Sequence, residues 1–424
     1  MRYIYTFIFT LLLPLVFLKL IYRGLKAPAY WKCWSERLGF FPYRSDGESI
    51  WIHAVSVGEV QAAVPFIKAI RESYPGHVIV ITTTTPTGRA QVNKALGDSV
   101  VVGYLPYDLP WTVSLFLNRI RPKVAIVMET ELWPNLFYQC AKKQIPLMIA
   151  NGRLSARSIK GYQRIQLFVR QTLKHISCIA AQSEADAQGF VTIGAAPERV
   201  MATKNIKFDL SSPQYSEKSV EKFRAAFGVH KKLWVAASTH EGEDELVLQA
   251  YSQVLKTQPD TVLLLVPRHP ERFNTVADLV QRSGFAMARR SSNDVGNSGT
   301  QVFVGDTMGE LMFFYRVSDV AFVGGSLVPT GGHNILEPAA LAVPSIVGPH
   351  TFNFKDITQA MLQAGATIQV QSTDELADCV VSILGDEDHK CRMGANAYHV
   401  VKQNRGATQL LMGQLDKLIA SQNE

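Results

Sequence analysis

The sequence feature that most constrains the fold is a repeated alternation of short, wholly apolar segments with amphipathic ones. A strand whose two faces are both apolar belongs to a parallel sheet that helices cover on both sides. The alternation runs through the first half of the chain, pauses at the polar residues 209–218, and then restarts. The predicted strands are residues 50–55, 78–83, 100–105, 123–128, 146–150, 178–181, 233–237, 261–266, 301–304, 320–323, 345–347 and 366–370.

The amphipathic segments between these strands have apolar residues at helical spacing. They predict helices at residues 59–73, 87–96, 111–120, 134–143, 158–175, 184–190, 244–256, 271–283, 309–317, 334–342 and 374–384, and in the tail from residue 389. We therefore predict an α/β protein with two facing, doubly wound, Rossmann-like domains that bind ligands at the carboxyl ends of their strands. Residues 209–218 are expected to link the domains, and residues 289–300 to form a surface loop.

The N-terminal segment is long and apolar enough to attach the chain to a membrane. Residues 3–18 carry no charge, and residues 20–22 continue the apolar segment past Lys19. Since about 20 apolar residues span a bilayer, we predict an uncleaved, single-pass anchor. More basic residues follow this segment than precede it, which places the rest of the chain in the cytoplasm. A cleaved signal peptide is the alternative, although no small-x-small cleavage site precedes the basic residues.

The charge balance of the chain favours an anionic partner. The chain has 424 residues, a formal net charge of +7 and a pI of about 9.0. Nucleic acid, phospholipid headgroups and a phosphorylated substrate all remain open on charge alone. The five cysteines are scattered and form no Cys-x-x-Cys pair, so we expect neither a disulfide framework nor a zinc site.

A glycine-rich loop follows the predicted strand at residues 320–323 and extends to residue 338. Its glycines would let backbone N–H groups approach an anion, and a helix that begins at Asn334 would add about half a positive charge. We expect this loop to bind a phosphate, with the Glu337 carboxylate accepting two hydroxyls of a ribose. A tight turn with Asn334 as an N-cap, and with no ligand, is the alternative reading.

Other polar residues also collect where predicted strands end. Arg268 follows the strand at residues 261–266 and can bind a departing phosphate in a bidentate manner. Glu59 begins a helix and can act as a general base for a sugar hydroxyl if burial raises its pKa. It can equally be a first-turn glutamate that complements the helix dipole. The sequence contains no constellation of metal ligands, no Walker loop and no Gly-x-Gly-x-x-Gly after a strand, which disfavours ATP hydrolysis and dinucleotide redox chemistry.

Seven ordered motifs and the N-terminal anchor together resemble the Kdo transferases of lipopolysaccharide assembly over essentially the full chain. The combination is highly specific, although no single motif is. The motifs are residues 35–39 (SERLG), 53–59 (HAVSVGE), 129–135 (ETELWPN), 205–209 (NIKFD), 267–272 (PRHPER), 306–310 (DTMGE) and 331–338 (GGHNILEP).

The resemblance implies a GT-B glycosyltransferase that transfers 3-deoxy-D-manno-octulosonic acid (Kdo) from CMP-Kdo to lipid IVA. It also implies inversion at the anomeric carbon, with no metal ion and no cofactor. Glu59 would be the base, and Glu129 and Lys207 would stabilise the transition state. Lys204 departs from the glycine that the family usually has before Asn-x-Lys, which puts the local turn in question. The implied CMP site comprises Pro267, Arg268, Met308, Gly309, Glu310, Asn334, Ile335, Leu336 and Glu337.

The resemblance further implies the domain organisation and the location. The implied partners are CMP-Kdo, lipid IVA and the lipid surface of the inner membrane, with the catalytic domains on the cytoplasmic side and no nucleic acid. A GT-B-type nucleotide-sugar epimerase and a non-catalytic, membrane-tethered lipid A-binding protein are the alternative functions. The expected parts are an anchor at residues 1–22, an acceptor domain at 23–210, a CMP-sugar donor domain at 211–400 and a C-terminal helix at 401–424.

Overall fold

The computed structural model describes residues 1–210, 215–292 and 296–422, and it divides into two compact units. The first unit comprises Met1–Asp209 and Asn404–Glu424, and the second comprises Leu210–Gln403. Each unit contains a seven-stranded parallel sheet, which confirms the predicted pair of α/β domains. Residues 211–214 of the predicted linker, and residues 293–295 of the predicted surface loop, lie outside the described part of the chain.

The sheet of the first unit has the strand order β3-β2-β1-β4-β5-β6-β7. Because the order reverses between β1 and β4, the loops that follow these two strands lie side by side at a topological switch point. The short, half-buried strand β7 was not predicted, since three residues are too few to stand out as an apolar run. The strands are β1 (Ser49–His53), β2 (Val78–Thr83), β3 (Val101–Tyr104), β4 (Pro122–Met128), β5 (Leu147–Gly152), β6 (Cys178–Ala181) and β7 (Val200–Ala202).

Helices cover both faces of this sheet, and each face carries its own apolar core. The C-terminal helix α18 returns to the first unit and packs Leu411 and Leu415 into one of these cores. The single helix predicted at residues 158–175 is wrong, because Ile165 leaves the helical conformation and divides it in two. The helices are α1 (Arg2–Lys26), α2 (Trp34–Arg37), α3 (Val57–Ser73), α4 (Pro86–Leu96), α5 (Pro110–Ile120), α6 (Pro134–Lys142), α7 (Ala156–Arg164), α8 (Gln166–Leu173), α9 (Glu184–Thr192) and α18 (Ala407–Ala420).

The sheet of the second unit has the strand order β10-β11-β9-β8-β12-β13-β14, with its switch point between β8 and β12. The strands are β8 (Lys232–Thr239), β9 (Thr261–Pro267), β10 (Met287–Arg289), β11 (Val302–Val304), β12 (Val320–Val323), β13 (Ser345–Val347) and β14 (Thr367–Gln369). The helices are α10 (Glu217–Phe227), α11 (Glu243–Thr257), α12 (Phe273–Arg282), α13 (Leu311–Arg316), α14 (Leu336–Ala339), α15 (Lys355–Gln363), α16 (Thr373–Gly385) and α17 (Glu387–Asn404).

The helix predicted at residues 334–342 is much shorter in the structure. Helix α14 has four residues, and Ala342 lies in the left-handed region with φ +57°, which prevents the helix from continuing. A helix of one turn has few aligned peptide dipoles, so the half charge expected for a phosphate is not available here. Asn334 still accepts a hydrogen bond from the backbone N–H of Leu336, at 3.2 Å.

The glycine loop after β12 holds an internal anion, the carboxylate of Glu243. Glu243 begins α11 directly after β8, the neighbour of β12 in the sheet, and it is 0% exposed. It accepts backbone N–H groups from Gly325 at 2.6 Å, Ser326 at 2.9 Å and Leu327 at 2.8 Å, and a fourth from His240 at 2.9 Å. The expectation that this first half of the loop cradles a phosphate is therefore wrong, since a side chain of the chain itself occupies it.

The turn before Asn205 keeps the conformation that a glycine would favour, although Lys204 stands there. Lys204 lies in the left-handed region with φ +65°. Its ammonium group donates to the Arg405 carbonyl at 3.2 Å, which joins this turn to the segment before α18. The departure from the family pattern therefore leaves the turn in place but adds backbone strain.

Lys204→Gly is expected to give a more stable protein than Lys204→Ala, by about 1 kcal/mol. Both substitutions remove the ammonium contact with Arg405, but alanine retains the strain of a left-handed conformation. Urea unfolding of the two variants in detergent would measure the difference. Equal stabilities would show that this turn carries no strain.

Glu243→Ala is expected to destabilise the second unit by at least about 3 kcal/mol, because it leaves buried N–H groups without an acceptor. Hydrogen exchange followed by mass spectrometry should show lost protection at residues 325–327. Glu245→Ala is the matched control, since Glu245 is exposed in the same helical turn. Unchanged protection of the loop in Glu243→Ala would contradict this role.

Candidate active site

Glu59 lies where β1 ends, in the first turn of α3. Its carboxylate accepts the Val55 N–H at 2.8 Å and the Ser56 hydroxyl at 3.0 Å, while the Ser56 oxygen accepts the Glu59 N–H at 3.3 Å. This reciprocal arrangement is a variant of the capping box, in which the glutamate accepts the N–H of the residue before the N-cap Ser56. Burial raises the pKa of Glu59 to about 7, and the nearby carboxylates of Glu129 and Glu131 add to the shift. The capping role and a role as a base are therefore compatible.

Glu129 and Lys207 form an ion pair in the same unit. Glu129 directly follows β4, with φ +56°, and its carboxylate lies 3.4 Å from the Lys207 ammonium group. Lys207 lies in a short 3-10 helix, Ile206–Phe208, where Asn205 accepts the Lys207 N–H at 3.0 Å. Glu59 and Glu129 follow the neighbouring strands β1 and β4, and the ion pair brings Lys207, which follows the edge strand β7, to the same place. The three predicted catalytic residues therefore form a cluster of two carboxylates and one ammonium group.

Glu131 belongs to this cluster but was not singled out in the sequence. Burial, and then the charge of Glu129, raises the pKa of Glu131. Its position two residues after Glu129, in a segment that follows a buried strand, was the available signal. Its role in the cluster is electrostatic, because it contributes to the raised pKa of Glu59.

In the second unit, the predicted donor-site residues lie on three loops. Pro267 ends β9 with its side chain buried, and the Arg268 N–H donates to Thr239 at 3.0 Å. The Arg268 charge acts on His333 and Glu337: it adds to the effect of burial that lowers the pKa of His333, and it partly opposes the burial that raises the pKa of Glu337. Met308 is half-exposed and Gly309 has φ +92°.

The carboxylate of Glu310, a residue of the predicted donor site, is already bound by an arginine side chain. Arg290 donates to its carboxylate through Nε, at 3.0 Å and 3.1 Å, and through Nη2, at 2.6 Å. Arg289 similarly pairs with the buried Asp306, at 2.7 Å. The prediction of a surface loop over residues 289–300 is therefore wrong at its first two residues. Arg289 and Arg290 instead hold a different loop, the one that follows β11. The signal in the sequence was that the positive charges of Arg289 and Arg290 can pair with the negative charges of Asp306 and Glu310.

The second half of the glycine loop, from residue 333 onward, offers a ligand backbone N–H groups rather than apolar side chains. Ile335 and Leu336 are buried, so their side chains pack in the core. Among the described residues, none accepts the backbone N–H groups of His333, Asn334 and Ile335. Burial raises the pKa of Glu337 to about 7, and Asn334 donates to its carboxylate at 3.4 Å.

Three histidines that the sequence reading did not single out meet beside this loop. His240 and His333 stack with ring centroids 5.0 Å apart, and their Nε2 atoms lie 2.8 Å apart. Burial lowers the pKa of His240, and it lowers that of His333 to about 3, with help from Arg268. Neutral imidazoles can share one Nε2 proton in this geometry. His269 packs edge-on against His240 at 5.1 Å.

Models of two known protein families match the chain. The model described as 3-deoxy-D-manno-octulosonic-acid transferase (kdotransferase) matches residues 32–210. The model described as glycosyl transferases group 1 matches residues 230–400.

Individual proteins agree with these matches. A 3-deoxy-D-manno-octulosonic acid transferase of Haemophilus influenzae is 44% identical over 97% of this chain and 97% of its own. One from Bordetella pertussis is 33% identical over 98% and 99%. The crystal structure of a glycosyltransferase from Rickettsia africae has a TM-score of 0.56 at 14% identity, covers 88% of this chain and 98% of its own, and supports the GT-B fold. The chain therefore belongs to the 3-deoxy-D-manno-octulosonic acid (Kdo) transferases, the glycosyltransferases that add Kdo in lipopolysaccharide biosynthesis.

Proposed function

We propose that this Kdo transferase uses CMP-Kdo as donor and lipid IVA as acceptor, that it inverts the anomeric carbon, and that it needs no metal ion or cofactor. The observation that carries the mechanism is the half-buried Glu59 carboxylate, whose pKa is raised to about 7 beside Glu129 and Glu131. A carboxylate with a pKa near the working pH is suited to accept a proton from a hydroxyl.

In this mechanism, Glu59 takes the proton of the acceptor hydroxyl as that oxygen bonds to the anomeric carbon of Kdo. The bond between this carbon and the phosphate oxygen breaks, and CMP leaves with the electron pair. The transition state has oxocarbenium character next to the carboxylate of Kdo itself. The Lys207 ammonium group, held 3.4 Å from Glu129, supplies a fixed positive charge for that carboxylate.

The second unit supplies the donor site. Glu243 already accepts the N–H groups of residues 325–327, so these groups do not bind the phosphate of CMP. The phosphate instead binds Arg268 and the N–H groups of residues 333–335. Glu337 accepts the ribose hydroxyls, and the loops that carry Pro267 and Met308–Glu310 bound the nucleotide. Charge-assisted bonds from a guanidinium group to phosphate are among the strongest available to a protein.

We further propose that α1 attaches the chain to the inner membrane, with both units on the cytoplasmic side. Arg2–Leu25 is long and apolar enough to cross a membrane, with a mean hydropathy of 2.3. The acceptor carries acyl chains and two phosphates, which is consistent with an apolar helix and a net charge of +7. The sequence predicts that α1 is a single-pass span.

Glu59→Gln is expected to lower kcat at least about 100-fold, because it removes the base while keeping the shape of the side chain. CMP-Kdo affinity should stay within about twofold, since the donor residues lie in the second unit. CMP release and the mass of the lipid product would be followed together. Glu72→Gln, at an exposed position of the same helix, is the control. Near-normal turnover by Glu59→Gln would contradict the assignment.

The same assignment sets the pH dependence of the wild-type enzyme. Because Glu59 must be ionised to accept a proton, kcat/KM should rise with pH through a midpoint near 7. An acid limb centred near 4.5, the ordinary value for a glutamate, would show that burial does not tune this group.

Arg268→Ala is expected to weaken binding of CMP by about 10-fold or more, since a charge-assisted hydrogen bond contributes about 1.5–3 kcal/mol. Calorimetric titration with CMP would measure it without any acceptor. Arg282→Ala, at an exposed position of α12, is the control for the lost charge. An unchanged dissociation constant would remove Arg268 from the donor site.

A further inference from the structure

Helix α1 has two faces with different surroundings along its whole length. Its exposed apolar side chains recur every three or four residues, which is the spacing of one helical face. The opposite face is half-buried to buried against the first unit. The most exposed members of this stripe are Tyr3 (78% exposed), Ile4 (59%), Phe7 (71%), Leu11 (70%), Leu15 (60%), Leu18 (60%), Tyr22 (59%) and Leu25 (67%), and Ile8, Leu12 and Ile21 widen it.

Polar contacts attach the first turns of α1 to the body of the unit. The Arg2 guanidinium group lies 3.3 Å from the ring centroid of Tyr138. The Thr6 hydroxyl exchanges hydrogen bonds with the Asn135 side chain, at 2.9 Å and 3.1 Å, and Asn135 is 0% exposed. The Tyr5 hydroxyl lies near the carboxyl group of the buried Asp108. These partners are the polar surface of a folded domain rather than acyl chains.

Aromatic contacts continue along the same face to the end of the helix. Phe9 packs on Tyr107 at 6.4 Å, and Phe17 packs on both Tyr107 and Trp34, at 5.8 Å and 5.7 Å. Near the last turn, the Trp31 ring lies so close to Gly24 that a Cβ atom would not fit there. Helix α1 has 25 residues and rises about 37 Å. Both of its ends therefore contact the first unit.

A helix in this position cannot also cross a bilayer. A spanning α1 would place Arg2 and Lys19 on opposite sides, or would draw one of them into the hydrocarbon. The charge-free run from Tyr3 to Leu18 rises about 24 Å, short of the hydrocarbon thickness of about 30 Å. A helix that lies in the membrane plane keeps its basic residues at headgroup depth and its apolar face in one leaflet.

We propose that α1 is an in-plane anchor: its exposed apolar stripe enters the acyl chains of one leaflet, and its opposite face stays docked on the first unit. Both ends of α1 then lie on the same side of the membrane as the catalytic units. A contiguous exposed apolar stripe of this size marks an interaction surface, and acyl chains match its apolar character. Lys19 and Arg23, which border a cavity of about 320 Å³ beside α1, meet the anionic headgroups.

Protease protection tests the topology on the full-length protein. An epitope tag placed before Met1 should resist external protease in intact spheroplasts and be digested after lysis, while the protein stays in the membrane pellet. A periplasmic and a cytoplasmic protein serve as digestion controls. Digestion of the tag in intact spheroplasts would overturn the proposal, and so would recovery of the protein in the soluble fraction.

Cross-linking in native membranes tests the docking itself. Arg2→Cys with Tyr138→Cys should react with a short bismaleimide, in a background where the exposed Cys33 and Cys391 are serine. Phe7→Cys with Tyr138→Cys is the matched control, since Phe7 lies on the exposed stripe about one turn along. A cross-link in the first pair at least about 10-fold above the control supports the docked helix. Equal yields in the two pairs would show that α1 leaves the unit, and would overturn the proposal even if the tag is protected.

Discussion

Burial of two parallel sheets on both faces determines where this enzyme can place its chemistry. Strands such as β4 and β9 are apolar nearly throughout, so polar side chains can reach solvent only where the strands end. At each switch point two neighbouring loops leave the sheet in opposite directions and a crevice opens. The residues of the proposed catalytic and donor sites follow β1, β4 and β7 in the first unit and β9, β11 and β12 in the second.

The two switch points use a first-turn glutamate in opposite ways. Glu243 is completely buried and accepts four backbone N–H groups, so its charge is fully compensated and it holds the glycine loop in place. Glu59 accepts one N–H and one hydroxyl, and it faces two other carboxylates, so its pKa rises to about 7. A glutamate in the first turn of a helix is thus structural in the second unit, whereas in the first unit it is the proposed base. The number of donors around the carboxylate makes the difference.

The strands and most helices could be predicted because burial imposes a simple period on the sequence. β2, for example, has the predicted bounds, Val78–Thr83. The edge strands β7 and β10 were missed because a strand of three residues is too short to show a period in the sequence. The anion bound by residues 325–327 of the glycine loop was misassigned, because a glycine pattern shows that N–H groups are available but not which anion they bind. That anion, Glu243, is 82 residues from Gly325 in sequence, and only the adjacency of β8 and β12 brings them together.

Hydropathy has a similar limit for α1, because it sums over all faces of a helix. It does not distinguish a helix that lipid surrounds from a helix that contacts lipid on one face only. The contacts of the inner face supply the missing information, and they connect anchoring to catalysis. Thr84 lines the cavity beside α1, and its hydroxyl donates to the Val55 carbonyl at 3.4 Å, while the N–H of Val55 holds Glu59. In the proposed mechanism, an acceptor whose acyl chains stay in the leaflet would meet α1 and the loop that carries Glu59 on one unit. The proposed in-plane position of α1 would bring that loop to the membrane surface.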